Sequence, residues 1–539
     1  MNRVFAIIAV SLSFASLCFT QTNVINIIPK PMNLMSKVGS FTMSRQTTIV
    51  ARTARDRRSA VELNSWLRAN HGFTLKVTGR PQNKNYIEFA SPTQALDHGS
   101  GFTGVGYGMF VSPNHIRIEG YERGHLYAIQ SFVQLLPLEF KEWAEIPAGS
   151  IVDSPRFPYR GMHLDVARHF QPVEFIKKFI DLMSQYKFNY FHWHLTDDQG
   201  WRIEIKKYPR LTEVGSKRPE THLGAYTTTF KGDGIPVEGF YTQEQVKDVV
   251  AYAKARYIAV VPEIEMPGHA SAALAAYPEF GCKENYNYKV QMTWGIFPEV
   301  FCPTDATFKF LEDVLDETIK LFPDSPYIHI GGDEVLKIHW KESAFVQELM
   351  KREKLKDEHE VQSYFIRRME RFVNSRGKKI IGWDEILEGG VAPNATIMSW
   401  RGNKGAIEAA KSKHDVIMTP TDYSYFDYRQ GIDAAKEPVG QSAFLPLEKV
   451  YSFDPMPKEL NETEAKYILG GQGNVWIEYM KTPAAVEYMV FPRMLAMAEV
   501  LWSQPENKDY ADFRRRLASH LVRLDKQDVK YHNPEPIGQ

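Results

Sequence analysis

In the stretch "HIGGDEVLKIHW", residues 329–340, Asp333 and Glu334 stand side by side behind two glycines and an apolar run. On a regular strand, neighbouring side chains point to opposite faces. At a strand's end, past Gly331 and Gly332, the backbone is freer to leave β geometry, and both carboxyls can then reach one place. Two acids in a shared site push each other's ionisation apart, so that one keeps its proton while the other is charged. A proton donor beside a negative stabiliser is what cleavage of a glycosidic bond requires. The pair alone also suits a divalent cation.

Other polar residues gather in the same manner. The chain from about residue 158 onward alternates short apolar strands with helical segments. The strands read as "RGMHLD", "NYFHWHL", "IAVVPEI", "YIHIGG", "KKIIGW", "TIMSW", "DVIMT" and "YILGGQGNVW", and segments such as "PVEFIKKFIDLMSQYK" and "TQEQVKDVVAYAKARY" lie between most of them. Nearly every strand ends in a cluster. These are Asp165 and Arg168; Asp197 and Asp198; Glu263, Glu265 and His269; Asp333 and Glu334; Trp383, Asp384 and Glu385; Trp400 and Arg401; Trp476 and Glu478. Eight strands with intervening helices predict an α/β fold, a (β/α)8 TIM barrel, whose strand C-termini converge on one mouth. A doubly wound open sheet is the runner-up, but no Gly-rich phosphate fingerprint follows the first strand.

Ahead of the barrel, residues 22–153 mix strands and helices without concentrated chemistry, which predicts a smaller α+β domain before a catalytic region at 154–530. "ARDRRSAVELNSWLRANHG" has helical spacing at Ala60, Leu63, Trp66 and Leu67 and stops at Gly72; "NYIEFA" and "HIRIEGY" alternate as strands; "GHLYAIQSFVQLLP" is a second amphipathic helix. Residues 1–21, with Arg3 ahead of an apolar stretch, read as a secretory signal, so the mature chain is expected in the periplasm or outside the cell. Leu17 precedes Cys18 where lipid attachment wants a small side chain, so a lipoprotein anchor fits less well. No later segment is long and apolar enough to span a membrane. Once the signal is gone only Cys282 and Cys302 remain, and an even pair in an exported protein predicts a disulfide. Lys and Arg total 65, as do Asp and Glu, so there is no basic surplus to hold a nucleic acid.

The motifs "RGMHLDVARHF", "FHWHLTDDQGWR", "PEIEMPGH", "HIGGDE" and "GGQGNVWIEY" together resemble the β-N-acetylhexosaminidases of glycoside hydrolase family 20, in the family's order and over residues 22–505. The resemblance implies an exo-acting, retaining enzyme that removes terminal N-acetylglucosamine, and the galacto epimer as a further candidate, from an oligosaccharide or glycoconjugate. It implies no cofactor and no metal. Glu334 matches the general acid/base, and Asp333 the residue that orients the substrate's own 2-acetamido group, whose oxygen attacks the anomeric carbon to form an oxazolinium ion. Tyr425 matches the tyrosine that hydrogen-bonds the acetamido oxygen. Trp383, Trp400 and Trp476 match the pocket walls, and Arg168, Asp427 and Glu478 the residues that hold sugar hydroxyls. Asp197 and His269 match a pair supporting the acid. Asp198 is left outside the site as a hydrogen-bonding neighbour, and His163, His192 and His194, inside strands, are read as core or as support.

Other classes fit less of the pattern. A metallohydrolase built on His269, Asp333 and Glu334 lacks a histidine pair at helical spacing, and loss of activity to EDTA would favour it. A non-catalytic sugar-binding barrel would have no use for Glu334 and Tyr425. A family 18 chitinase would carry Asp-x-x-Asp-x-Asp-x-Glu, and no such run occurs. A lacto-N-biosidase-like enzyme releasing a disaccharide is the alternative within the resemblance.

Overall fold

The computed structural model describes residues 25–534 apart from 94–95, 97–103 and 226. The expected export segment 1–21, with Cys18, lies outside the described residues. The first unit is a seven-stranded sheet in which Asn33–Ser44 forms one edge beside Trp143–Asp153, followed by Tyr107–Val111, His115–Gly120, Tyr86–Ala90, Thr48–Ala51 and Lys76–Thr78. Helices Ala54–His71 and Glu122–Leu135 pack on it. The first helix opens with a capping box between Thr53 and Asp56 and closes at Gly72, whose φ of 72° is left-handed and whose N–H caps Arg68. The long edge strand Asn33–Ser44 was not anticipated. Seven consecutive exposed residues at its start hide the alternation that marks a strand.

Eight parallel strands then close into a barrel: Tyr159–Asp165, Tyr190–His194, Ala259–Glu263, Tyr327–His329, Lys379–Trp383, Thr396–Ser399, Val416–Met418 and Ile468–Gly473. Seven lie within the segments predicted for them, and the first begins one residue ahead of its segment, at Tyr159. All seven residues of the first strand are buried, as expected where helices cover the outside and side chains fill the inside. Met162 and Leu164 point into the large core shared with the helices. His163 instead meets the rings of His192 and Trp476 inside the barrel. Closure rules out the open sheet, because the eighth strand pairs with the first from Gly470↔Tyr159 to Gly473↔Met162. Gly470 makes this seam possible: a Cβ there would stand 2.0 Å from the Tyr159 carbonyl oxygen.

The barrel and the sheet meet at Asp153, the last residue of a sheet strand. Its carboxylate accepts hydrogen bonds from Tyr107 Oη (2.8 Å), Lys187 Nζ (3.1 Å) and Trp502 Nε1 (2.9 Å). Lys187 and Asp153 are both fully buried, and burial pulls the lysine's pKa down while Asp153 opposes it. An ion pair of this kind is weak evidence of net stabilisation but costly to break from one side. Asp153→Ala is expected to destabilise the protein by about 3–5 kcal/mol, because Lys187 is left charged and unpaired. A thermal melt checks this, and an unchanged midpoint would remove Asp153 from its role as the junction.

Candidate active site

The fourth barrel strand stops at His329, and the chain then leaves β geometry: φ is +66° at Gly331, +94° at Gly332 and +49° at Glu334. A Cβ on Gly331 would fall 1.7 Å from Glu265 Oε2, and one on Gly332 would fall 2.5 Å from Ile386 Cγ2. Only glycine fits these two places. Glu334 has no such excuse, and a left-handed non-glycine residue costs about 1–2 kcal/mol. That strain lets adjacent acids converge, since Asp333 Oδ2 and Glu334 Oε2 each lie 3.6 Å from the same atom, His269 Nε2. His269 is itself left-handed, with φ +48°.

The two acids are not equivalent. The Asp333 side chain is 13% exposed and that of Glu334 is 32%. The deeper carboxyl is pushed above its ordinary pKa by burial and by the charge of Glu334, against the pull of His269. A carboxylate made more basic in this way is a better acceptor for an N–H donor, and Asp333 Oδ1 is buried without a protein partner.

Behind His269 stands a charged scaffold. Its Nδ1 hydrogen-bonds Asp198 Oδ2 at 3.0 Å and lies 3.3 Å from Asp197 Oδ1. Asp197 Oδ2 in turn meets Arg168 Nη2 and His194 Nε2, both at 2.8 Å. Burial alone would pull the pKa of His269 down, but the charges of Asp197 and Asp333 and its bonds to Asp197 and Asp198 raise it well above the ordinary value. These charges favour the protonated form of His269 beside the acid pair. His269, Asp333 and Glu334 do bring ligand atoms within 4.8 Å of one another.

Asp198 stands as expected, a hydrogen-bonding neighbour, and its bond is to His269. Its Oδ1 accepts from the Ser271 N–H (3.0 Å) and hydroxyl (2.6 Å), which aims its other oxygen at His269. Which of two adjacent acids turns toward a distant histidine is set by the short hairpin Thr196–Trp201, and here both do. His194 is likewise in direct contact with the site through Asp197.

The remaining expected residues gather near this cluster, and Tyr425 feels the charge of Asp333. Trp383 and Trp476 stand with ring centroids 5.7 Å apart, Trp476 and Tyr425 6.4 Å, and Tyr425 and Trp400 6.1 Å at 25° between planes. Arg168 lies over Trp476 at 5.1 Å. Asp427 Oδ1 and Glu478 Oε2 are buried without protein partners. Burial, then their mutual proximity, raises the pKa of Asp427 well above its ordinary range; burial also raises that of Glu478, with Arg168 opposing. Glu385, a strand-end acid to which the sequence assigns no role, stands beside Trp400. Its Oε2 takes the Trp400 indole N–H at 2.9 Å, and burial, with Asp333 nearby, pushes its pKa up to about 9.

Cys282 and Cys302 form a disulfide closing a loop that braces this scaffold. Gln291 N–H donates to the Asp198 carbonyl (2.9 Å), Phe301 N–H to that of Pro267 (2.9 Å), and Thr293 O accepts from Gln199, which also takes a bond from Arg168. Titration of the denatured, unreduced protein is expected to find no free thiol at either position. Reduction should lower stability by about 3 kcal/mol, the entropy of a loop this long. Two reactive thiols would remove the bridge.

Residues 24–154 match the family model "Glycosyl hydrolase family 20, domain 2", and residues 157–505 match "Glycosyl hydrolase family 20, catalytic domain". A β-hexosaminidase of Porphyromonas gingivalis is 47% identical over 95% of this chain, which spans 65% of that protein's length. A β-hexosaminidase of Vibrio furnissii is 34% identical over 89% of this chain and 77% of its own. A crystal structure of a GH20 exo β-N-acetylglucosaminidase from Vibrio harveyi, in complex with N-acetylglucosamine, superposes with a TM-score of 0.85 at 35% identity, covering 95% of this chain and 79% of that one.

Proposed function

Because the chain belongs to glycosyl hydrolase family 20, we propose that it is an exo-acting β-N-acetylhexosaminidase that releases terminal N-acetylglucosamine with retention of configuration. The observation that carries this reading is the convergence of Asp333 and Glu334 on one histidine nitrogen, at the strand ends that also bring Trp383 and Trp476 together. Glu334, the more exposed acid, donates its proton to the departing glycosidic oxygen. Asp333 accepts a hydrogen bond from the substrate's acetamido N–H, and Tyr425 donates one to the acetamido oxygen. That oxygen then closes on the anomeric carbon, and the leaving group departs with the proton of Glu334. Water, deprotonated by the same Glu334, opens the oxazolinium ring from the face the leaving group vacated. Neither carboxylate has to reach the opposite face of the sugar, so the two can be neighbours in sequence.

The walls have matching tasks. Trp383, Trp400 and Trp476 enclose the acetamido methyl and sugar ring with apolar faces. Arg168, Asp427 and Glu478 bind hydroxyls, where a charged partner makes the stronger hydrogen bond. We place the enzyme in an oxidising compartment, periplasmic or extracellular, a setting the Cys282–Cys302 bridge suits.

A panel of aryl N-acetylglucosaminides, N-acetylgalactosaminides and short glycans tests the reading. Release of single N-acetylhexosamine residues from non-reducing ends is expected. Release of an intact disaccharide, with no action on the aryl monosaccharides, would replace it with a lacto-N-biosidase activity.

A further inference from the structure

Glu263, the last residue of the third barrel strand, is fully buried below the pocket, and the proposed function gives it no task. Around it stand His192 and His194 of the second strand, His329 of the fourth and Trp383 of the fifth. His163 of the first strand and Glu265 on its own segment lie beyond them. Its Oε1 accepts the Trp383 indole N–H at 2.9 Å and lies 2.7 Å from His329 Nδ1. Its Oε2 meets His194 Nδ1 in a short hydrogen bond and lies 3.0 Å from His192 Nε2. His194 then uses its other nitrogen, Nε2, to reach Asp197 Oδ2 at 2.8 Å.

The row Glu263, His194, Asp197, His269 therefore runs from the barrel core to the nitrogen shared by Asp333 and Glu334, through two hydrogen bonds and then an ion pair of 3.3 Å between Asp197 and His269. We propose that Glu263 and His194 are positioning residues, the buried end of a chain of hydrogen bonds and ion pairs of alternating charge that fixes the acid/base and, through Trp383, the wall beside it. The inference rests on the roles proposed above for Glu334 and Trp383.

Charge bookkeeping agrees with the geometry. Burial would raise the pKa of Glu263, but His329, His194 and His192 hold it well below the ordinary range. Burial would lower that of His194, yet Glu263 and Asp197 push it up to about 10. Below that value the folded protein keeps His194 as an imidazolium, and only that form donates from both nitrogens to two carboxylates at once. The signs along the row then run negative, positive, negative, positive. With Glu263 neutralised, His194 loses a counter-charge in a low-dielectric core and gives up its proton within the working pH range. Asp197 then has one cation fewer to hold its orientation toward His269.

The test combines kinetics with imidazole 15N NMR. His194→Gln is expected to lower kcat/KM by about 100-fold on substrates with poor leaving groups and much less on activated aryl ones, the signature of impaired protonation. A thiazoline mimic of the cyclic intermediate should bind within about threefold of wild type, since Trp383 keeps Glu263. Glu263→Gln should show the same leaving-group dependence, with weaker thiazoline binding added. In the wild-type protein, two imidazolium signals, those of His194 and His269, should persist at about pH 8.5, where an ordinary histidine is neutral.

A rate loss equal on both leaving-group classes, accompanied only by a lower melting point, would overturn the proposal. So would a neutral His194 in the wild-type protein, a reading that needs no variant to fold. An inactive wild-type protein would defeat the function proposed above, while the NMR reading would still decide the state of His194.

Discussion

Glu334→Gln is expected to lower kcat/KM by about a thousandfold or more on N-acetylglucosaminides whose leaving group is another sugar, and far less on nitrophenyl glycosides. General acid catalysis contributes on the order of 10²–10⁴ in rate, and only where the departing oxygen is too basic to leave as an anion. Glutamine keeps the size and the left-handed backbone of Glu334, φ +49°, so the substitution removes a proton donor without reshaping the turn. Its side chain is the more exposed of the pair, as a proton donor to a leaving group that departs toward solvent must be. A steady-state comparison across aryl leaving groups of graded pKa checks this. The variant should show a steep dependence on leaving-group pKa and the wild-type protein a shallow one. Equal losses across the series would take the acid role away from Glu334.

What the chain reveals before it is folded differs from layer to layer. All eight barrel strands are legible because burial on both faces selects short continuous apolar runs, and helices of strong 3.6 periodicity separate them. The convergence of polar residues at strand ends is legible for the same reason, since a barrel collects those ends at one mouth. Gly331 and Gly332 announce a departure from β geometry, and the structure supplies their reason in Glu265 and Ile386. The edge strand Asn33–Ser44 gave no such signal, because an exposed edge is held by backbone pairing with Trp143–Asp153, and apolar Leu34, Met35 and Val38 stand exposed among polar residues without alternation.

The support beneath the site is the least legible part. Asp198 and Asp197 are neighbours, and only the hairpin at Thr196–Trp201 brings both to His269. Glu263 and His194 sit on different strands, and their contact depends on the register Glu263↔His194 across the sheet. A histidine inside an apolar strand gives no sign of which charge it will meet. Buried polar groups nevertheless require partners, so "NYFHWHL" facing "IAVVPEI" did pose a question of pairing that the barrel answers.

The proposed nucleophile belongs to the substrate, and the largest expected effect follows from removing it. An aryl glucoside with a 2-hydroxyl in place of the 2-acetamido group is expected to react at least about 10⁵-fold more slowly, the advantage typical of a well-oriented intramolecular attack. Its KM is not the deciding quantity; the rate at saturation is. Asp333→Asn should lower kcat on the acetamido substrate by about 10²–10³, the usual cost of losing one preorganised group aimed at developing charge. The reason lies in the raised pKa of Asp333, which burial makes a strong acceptor for the acetamido N–H. A stable thiazoline carries the ring of the cyclic intermediate and should bind far more tightly than N-acetylglucosamine itself. Asp333→Asn should erase most of that advantage while leaving the affinity for the product little changed, because the product carries no developing charge on nitrogen. Substituting Tyr425 by phenylalanine should act in the same direction through the acetamido oxygen. A sugar ester trapped on any aspartate or glutamate during turnover would place the nucleophile in the protein instead. Comparable rates for the 2-hydroxy and 2-acetamido substrates would do the same, since an attack from the protein has no need of the amide.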